Sequence, residues 1–82
     1  MAIPLYAFVR GDTLGLVVLA GETESIDELA LRLSRAAAPR VKLDGKLHVL
    51  HRGRVLRGTL TLSQAGVRAL DRVDLTTEGD VG

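Results

Sequence analysis

The sequence predicts an α+β domain in which one α-helix packs on a mixed sheet of four to five strands. Three observations carry that prediction. Two apolar strand-like runs near the N-terminus are joined by a glycine-containing turn, a capped amphipathic segment follows at Ser25–Ala37, and further short strand-like runs come after it. Eighty-two residues make a single small domain, near the size at which an apolar core holds without staples. The chain has no cysteine, so neither a disulfide nor a thiolate metal site can support that core. Apolar residues make up 46% and mean hydropathy is +0.20, too apolar for a disordered chain. No charged-then-apolar leader and no membrane-length apolar run appears, which sets the expectation of a soluble, cytoplasmic protein.

The first strand is read over Ile3–Arg10 and the second over Thr13–Ala20, both rich in β-formers. Gly11-Asp12 between them predicts a two-residue hairpin turn. Arg10-Gly11-Asp12 is also an adhesion tripeptide, but an adhesive ligand needs export and a protruding loop. The strand-like flanks favour the turn. Ser25-Ile26-Asp27-Glu28 is a capping box, and Asp27 and Glu28 suit the positive end of the helix dipole. Ile26, Leu29, Ala30, Leu33 and Ala37 fall on one helical face, and Pro39 ends the helix. Residues 38–46 read as a linker. "LHVLHR" (Leu47–Arg52) alternates as a strand, Gly53-Arg54 turns it, and Val55–Arg57 returns as a short one. Gly58–Val67 reads as a loop with one helical turn, and Leu70–Thr76 as the last strand, with Val73 and Leu75 on one face and Arg72 and Asp74 on the other. The expected domain is 1–76, with 77–82 a flexible tail.

The residues that carry chemistry elsewhere are scattered here. His48 and His51 are three apart on a strand and point to opposite faces, so they cannot share a metal. Asp71 and Asp74 are separated in the same way, and Ser63 lies in "TLSQAG" rather than a nucleophile elbow. No phosphate loop, dinucleotide fingerprint or zinc-helix motif is present. No catalytic, cofactor-binding or metal-binding residue is therefore assigned, and no cofactor is expected. His48, His51, Arg52, Arg54 and Arg57 form a local basic patch, yet net charge is only +1 and one tyrosine and one phenylalanine leave little for base stacking. That pattern suits an acidic protein surface better than a nucleic acid.

The order ββαβ(β)β is that of a β-grasp domain, and the resemblance to ubiquitin extends to residues. "SIDELALRL" (Ser25–Leu33) follows ubiquitin's capped helix, and Leu47–Leu75 can be laid on ubiquitin without a gap. Gly53 then falls on a turn glycine, Thr61–Ser63 on a Thr-Leu-Ser, and Leu50 on the isoleucine of ubiquitin's binding patch. "IPLYAFVRGDTLGLVVL", "TESIDELA" and "LTLSQAGVRALDRVDL" resemble a narrower family. It is the toluene-4-monooxygenase system protein B family, the small gamma subunit of bacterial multicomponent di-iron monooxygenases. The chain departs from that family at "AAAPRVKLDGK", where members commonly have a longer, more basic connection.

This resemblance implies a non-catalytic subunit of a di-iron aromatic or alkene monooxygenase, docked on its large catalytic subunit, which would hold the iron. A free-standing ubiquitin-like adaptor is the alternative. A sulfur carrier or modifier is a weaker one, because "EGDVG" lacks the terminal diglycine that such activation needs. In a ubiquitin-like register, Leu14, Leu16, Val18, Val49, Val73 and Leu75 face the helix. Val17, Leu19 and Leu50 then lie on the outer face, flanked by His48 and Arg52. An apolar outer face marks a partner surface, so the expected partner-binding residues are Leu50, His48, Arg52, Arg54, Val17 and Leu19. Neither nucleic acid nor membrane is expected as a partner.

Overall fold

The computed structural model describes residues 2–78. In chain order the elements are β1 (Ala2–Val9), β2 (Gly15–Gly21), α1 (Ile26–Ala37), β3 (Leu47–His51), β4 (Arg54–Val55) and β5 (Arg72–Thr77). The strands form one sheet in the spatial order β2-β1-β5-β3-β4. β1 and β5 are parallel, and the other neighbouring pairs are antiparallel. The last strand thus enters the middle of the sheet, where both its edges are paired.

Alternation along β1 and β5 explains which face the helix covers. Leu5, Ala7 and Val9 from β1, Val49 from β3, and Val73 and Leu75 from β5 are all buried. They meet Ile26, Leu29, Ala30, Leu33 and Ala37, the stripe that the helical period places on one side of α1. Burying each large aliphatic side chain in this set contributes about 1.5–3 kcal/mol.

The start of α1 is satisfied group by group. Ser25 Oγ accepts from the Glu28 amide at 3.1 Å, while the Glu28 carboxylate accepts from the Ser25 amide at 3.1 Å. The Ile26 and Asp27 amides donate to the carbonyls of Leu60 and Gly58 at 2.9 and 3.0 Å. The donors that a helix N-terminus leaves unpaired are therefore covered by its own cap and by the distant 58–62 segment. A Cβ on Gly58 would meet the exposed Asp27 carboxylate, which would have to turn aside.

Residues 61–67 fold as one capped helical turn. Thr61 and Gln64 exchange backbone and side-chain bonds as in a capping box. Gly66, at φ +79, sends its amide to the Ser63 carbonyl, and the Val67 amide reaches the Leu62 carbonyl. This is a Schellman ending, and it seats Leu62 and Val67 in the core.

Several sequence expectations need correction. Both tight turns sit one residue earlier than expected. The Asp12 amide donates to the Val9 carbonyl, so Arg10-Gly11 is the central pair, and Gly11 has φ +82. In the second hairpin Arg52 and Gly53 are the central pair, with φ 54 and 77, because His51 pairs with Arg54. In both cases glycine occupies the second central position, where positive φ is needed. β4 accordingly begins at Arg54. Leu14 lies before β2 in an irregular stretch and is exposed, not turned to the helix. β5 runs through Thr77, and the Glu78 amide donates to the Lys46 carbonyl, so the fold extends past residue 76. The expected tail beyond Glu78 lies outside the described residues.

Candidate functional site

The outer face is built from the residues that alternate with the core. Strand register sets them in rows across the sheet. Val17, Tyr6 and Arg72 form one row; Gly15, Phe8, Asp74, Leu50 and Val55 form the next. Leu19 stands opposite Pro4, and His48 opposite Thr76.

The six residues expected to form one patch divide between two places. Val17 and Leu19 lie together on β2 and are 69% and 62% exposed. Leu50 and His48 lie on β3 of the same face and are half-buried. Two strands, β1 and β5, stand between them, about 14 Å of sheet at the usual strand spacing. A single patch would need them on adjacent strands; β1 and β5 lie between instead, and nothing local in the sequence records that order. Arg52 lies in the turn, and Arg54 stands opposite His51, on the face that alternates away from Leu50.

The ground between the two places is polar. The Arg72 guanidinium lies 4.2 Å from the centre of the Phe8 ring and pairs with Asp74 at 3.0 Å. This cation–π contact covers the one phenylalanine of the chain and leaves an apolar island on each side. The β1–β2 island holds Val17, Leu19, Tyr6 and Pro4. The β3–β4 island holds Leu50 and Val55.

Leu70 was missed by the sequence reading. It adopts φ +68, is 63% exposed, and donates its amide to the Pro4 carbonyl at 2.6 Å. A leucine in this region is uncommon, and its conformation depends on long-range bonds that residue type does not reveal.

His51 and Asp71 form the second unforeseen feature. His51 is buried, away from His48, so the expectation that the two histidines diverge holds. Its Nε2 lies 2.8 Å from Asp71 Oδ2, which also accepts from the Arg68 amide at 3.0 Å. The Arg68 amide, then the His51 ring, holds the Asp71 carboxyl below its ordinary value of 3.8. Twenty positions separate the partners, so sequence spacing does not pair them. The pair ties the 68–71 loop to β3, while the Tyr6 amide ties it to β1 through the Asp71 carbonyl. Among the described residues no group of three or more histidine, aspartate or glutamate side chains could hold a metal ion.

The Arg10-Gly11-Asp12 tripeptide is engaged internally. Asp12 accepts from Arg40 Nε at 3.0 Å and Nη2 at 2.8 Å, and its side chain is 1% exposed. Arg40, foremost through this bond, lowers the Asp12 carboxyl below its ordinary value. The carboxylate that an adhesion receptor would need is thus tied to the segment after α1.

No family model matches the sequence, and no curated protein matches it significantly. Solved structures do. A chain of the toluene 4-monooxygenase HD complex with the inhibitor 4-bromobenzoate superimposes with a TM-score of 0.87 at 20% identity, covering 95% of this chain and 100% of that one. Caldiarchaeum subterraneum ubiquitin matches with a TM-score of 0.79 at 18% identity, over 95% of each chain. The ubiquitin-like domain of Plasmodium falciparum Dsk2 gives 0.78 at 15% identity, over 95% of this chain and 100% of that one. The fold is the ubiquitin-like β-grasp. No helix among the described residues is long and apolar enough to cross a membrane.

Proposed function

We propose that this chain is a non-catalytic small subunit of a bacterial multicomponent di-iron monooxygenase acting on aromatic or alkene substrates. In this reading it docks on the large catalytic subunit in the cytoplasm, and the iron and oxygen chemistry belong to that partner. The observation that carries the reading is the superposition on a chain of the toluene 4-monooxygenase complex over the whole of that chain. The resemblance of the Ile3–Leu19 and Leu60–Leu75 stretches to the small subunit family points the same way.

The docking residues are those of the two islands. Val17 and Leu19 offer apolar area on β2, and Leu50 offers it on β3 beside the His48 ring. Arg52 and Arg54, both exposed near the β3–β4 turn, would act on association rate and salt dependence more than on lifetime.

Co-expression with the large hydroxylase subunit encoded in the same host is the test. Co-elution at a fixed ratio is expected. A chain that elutes alone while the large subunit assembles without it overturns the reading. The similarity to ubiquitin and to the Dsk2 domain supports a second reading, a free-standing adaptor. The same experiment separates the two, since an adaptor would leave the hydroxylase unbound.

A further inference from the structure

β2 is an outer strand, paired on one side only. The hydrogen bonds of β1 fix which way the β2 backbone faces. The Tyr6 amide, the Pro4 carbonyl and the Arg10 amide all bond on the β5 side of β1, to Asp71, Leu70 and Leu75. A strand residue turns its N–H and C=O to one side, so Ile3, Leu5 and Ala7 are the β1 residues that bond β2. Their partners are Ala20, Val18 and Leu16. Gly15, Val17, Leu19 and Gly21 therefore direct their backbone groups outward. Two contacts agree with this: Arg32 Nη2 donates to the Leu19 carbonyl at 2.7 Å, and the Gly21 amide donates to Glu24 Oε1 at 3.2 Å.

These contacts close the edge from Leu19 onward and leave the stretch before it open. The N–H and C=O of Gly15 and Val17, and the N–H of Leu19, have no partner among the described residues. The seven residues of β2 include no charge and no proline, the usual means of protecting an edge. Beside this edge runs a groove of about 240 Å³ between β2 and α1. Val18, Leu29, Leu33 and Ala36 line it, with Arg32 and Arg35 at its rim. Arg32 is held by Glu24 at 2.7 Å, whereas Arg35 makes no ion pair among the described residues.

We propose that an extended segment of the large subunit pairs along Gly15–Leu19 and lays alternate apolar side chains into the α1–β2 groove, with an acidic residue for Arg35. Free ladder groups supply affinity, and the groove with its arginine supplies selectivity. A second copy of this chain fits less well. Its own β2 turns Leu16 and Val18 toward its own core, so those side chains cannot enter the groove.

The inference rests on the docking reading above, and the experiment separates the two. Amide hydrogen exchange is measured at Val17 and Leu19 in the free chain and in the purified hydroxylase complex. Fast exchange when free and at least tenfold slowing in the complex are expected. Val17→Pro removes an outward N–H that β1 does not use, so it should weaken assembly more than tenfold while the melting temperature moves little. Arg35→Glu should weaken assembly at low salt. If the complex forms but neither amide is protected, strand addition is overturned and the docking reading stands. If no complex forms, the docking reading itself falls and this inference with it. If Val17→Pro unfolds the chain, the exchange result on the unmodified protein decides. Slow exchange in the free chain, with sedimentation as a dimer, would assign the edge to a second copy and overturn the proposal.

Discussion

The two faces of the sheet are made by the same strands and obey different constraints. Along β1, Leu5 is 1% exposed while its neighbour Tyr6 is 45% exposed. Along β5, Val73 is fully covered while Arg72 and Asp74 pair in solvent. The inner face answers to one helix, and every large side chain on it meets another. The outer face answers to nothing within the described residues, yet it keeps Val17, Leu19, Tyr6 and Val55 exposed beside its polar centre. An antiparallel sheet open to water usually alternates to polar residues. The difference teaches that inner residues carry stability and outer ones are free to carry assembly.

The largest effect should come from breaking the inner face. Leu5→Ala opens a cavity at a site 1% exposed and should cost about 2–5 kcal/mol, read by urea or thermal unfolding. A cost below about 1 kcal/mol would show that the inner and outer faces do not differ as described. Gly58→Ala should cost less than about 1 kcal/mol, because the exposed Asp27 carboxylate that the new methyl meets can turn aside. Combining it with Asp27→Ala should restore part of the loss, and simple additivity would show that the two do not press on each other.

The outer face is sharpened by Leu50→Ser. Serine is the better probe than aspartate, since Asp74 stands directly opposite and a like charge there would destabilise the sheet by itself. Assembly with the large subunit should weaken about tenfold, equal to about 1.4 kcal/mol. Unfolding should show a smaller loss than Leu5→Ala, because Leu50 is only half-buried. Unchanged assembly, alongside a strong effect of Val17→Pro, would confine docking to the β2 edge.

A smaller effect is set by pH. Asp71 and Asp12 are held below 3.8, and Glu28 below 4.5, by bonds present only in the folded chain. A carboxyl depressed on folding stabilises at pH above its unfolded value and loses that contribution as pH falls through the folded value. Stability should therefore hold at pH 6 and decline below about pH 4.5. Asp71→Asn should flatten part of that decline in melts recorded from pH 6 to pH 2.5, and an unchanged slope would remove Asp71 from the account. Arg72→Met, as small in effect as Gly58→Ala, ends the Phe8 contact and an exposed ion pair for about 0.5–1 kcal/mol.

Residue pattern alone specifies the helix, the two hairpins and the buried stripe. These depend on contacts within a few positions: Ser25 with Glu28, glycine at a turn, apolar residues at i and i+3 or i+4. Even there it set both turns one residue late, because a glycine marks a turn without saying which central position it fills. Long-range packing, not any local pattern, places β5 between β1 and β3. That choice split Val17 and Leu19 from Leu50, joined His51 to Asp71 across the chain, and left one edge of β2 unpaired. Alternation along a strand tells which face a side chain takes, but strand order follows from how distant segments share one core, and no local pattern records it.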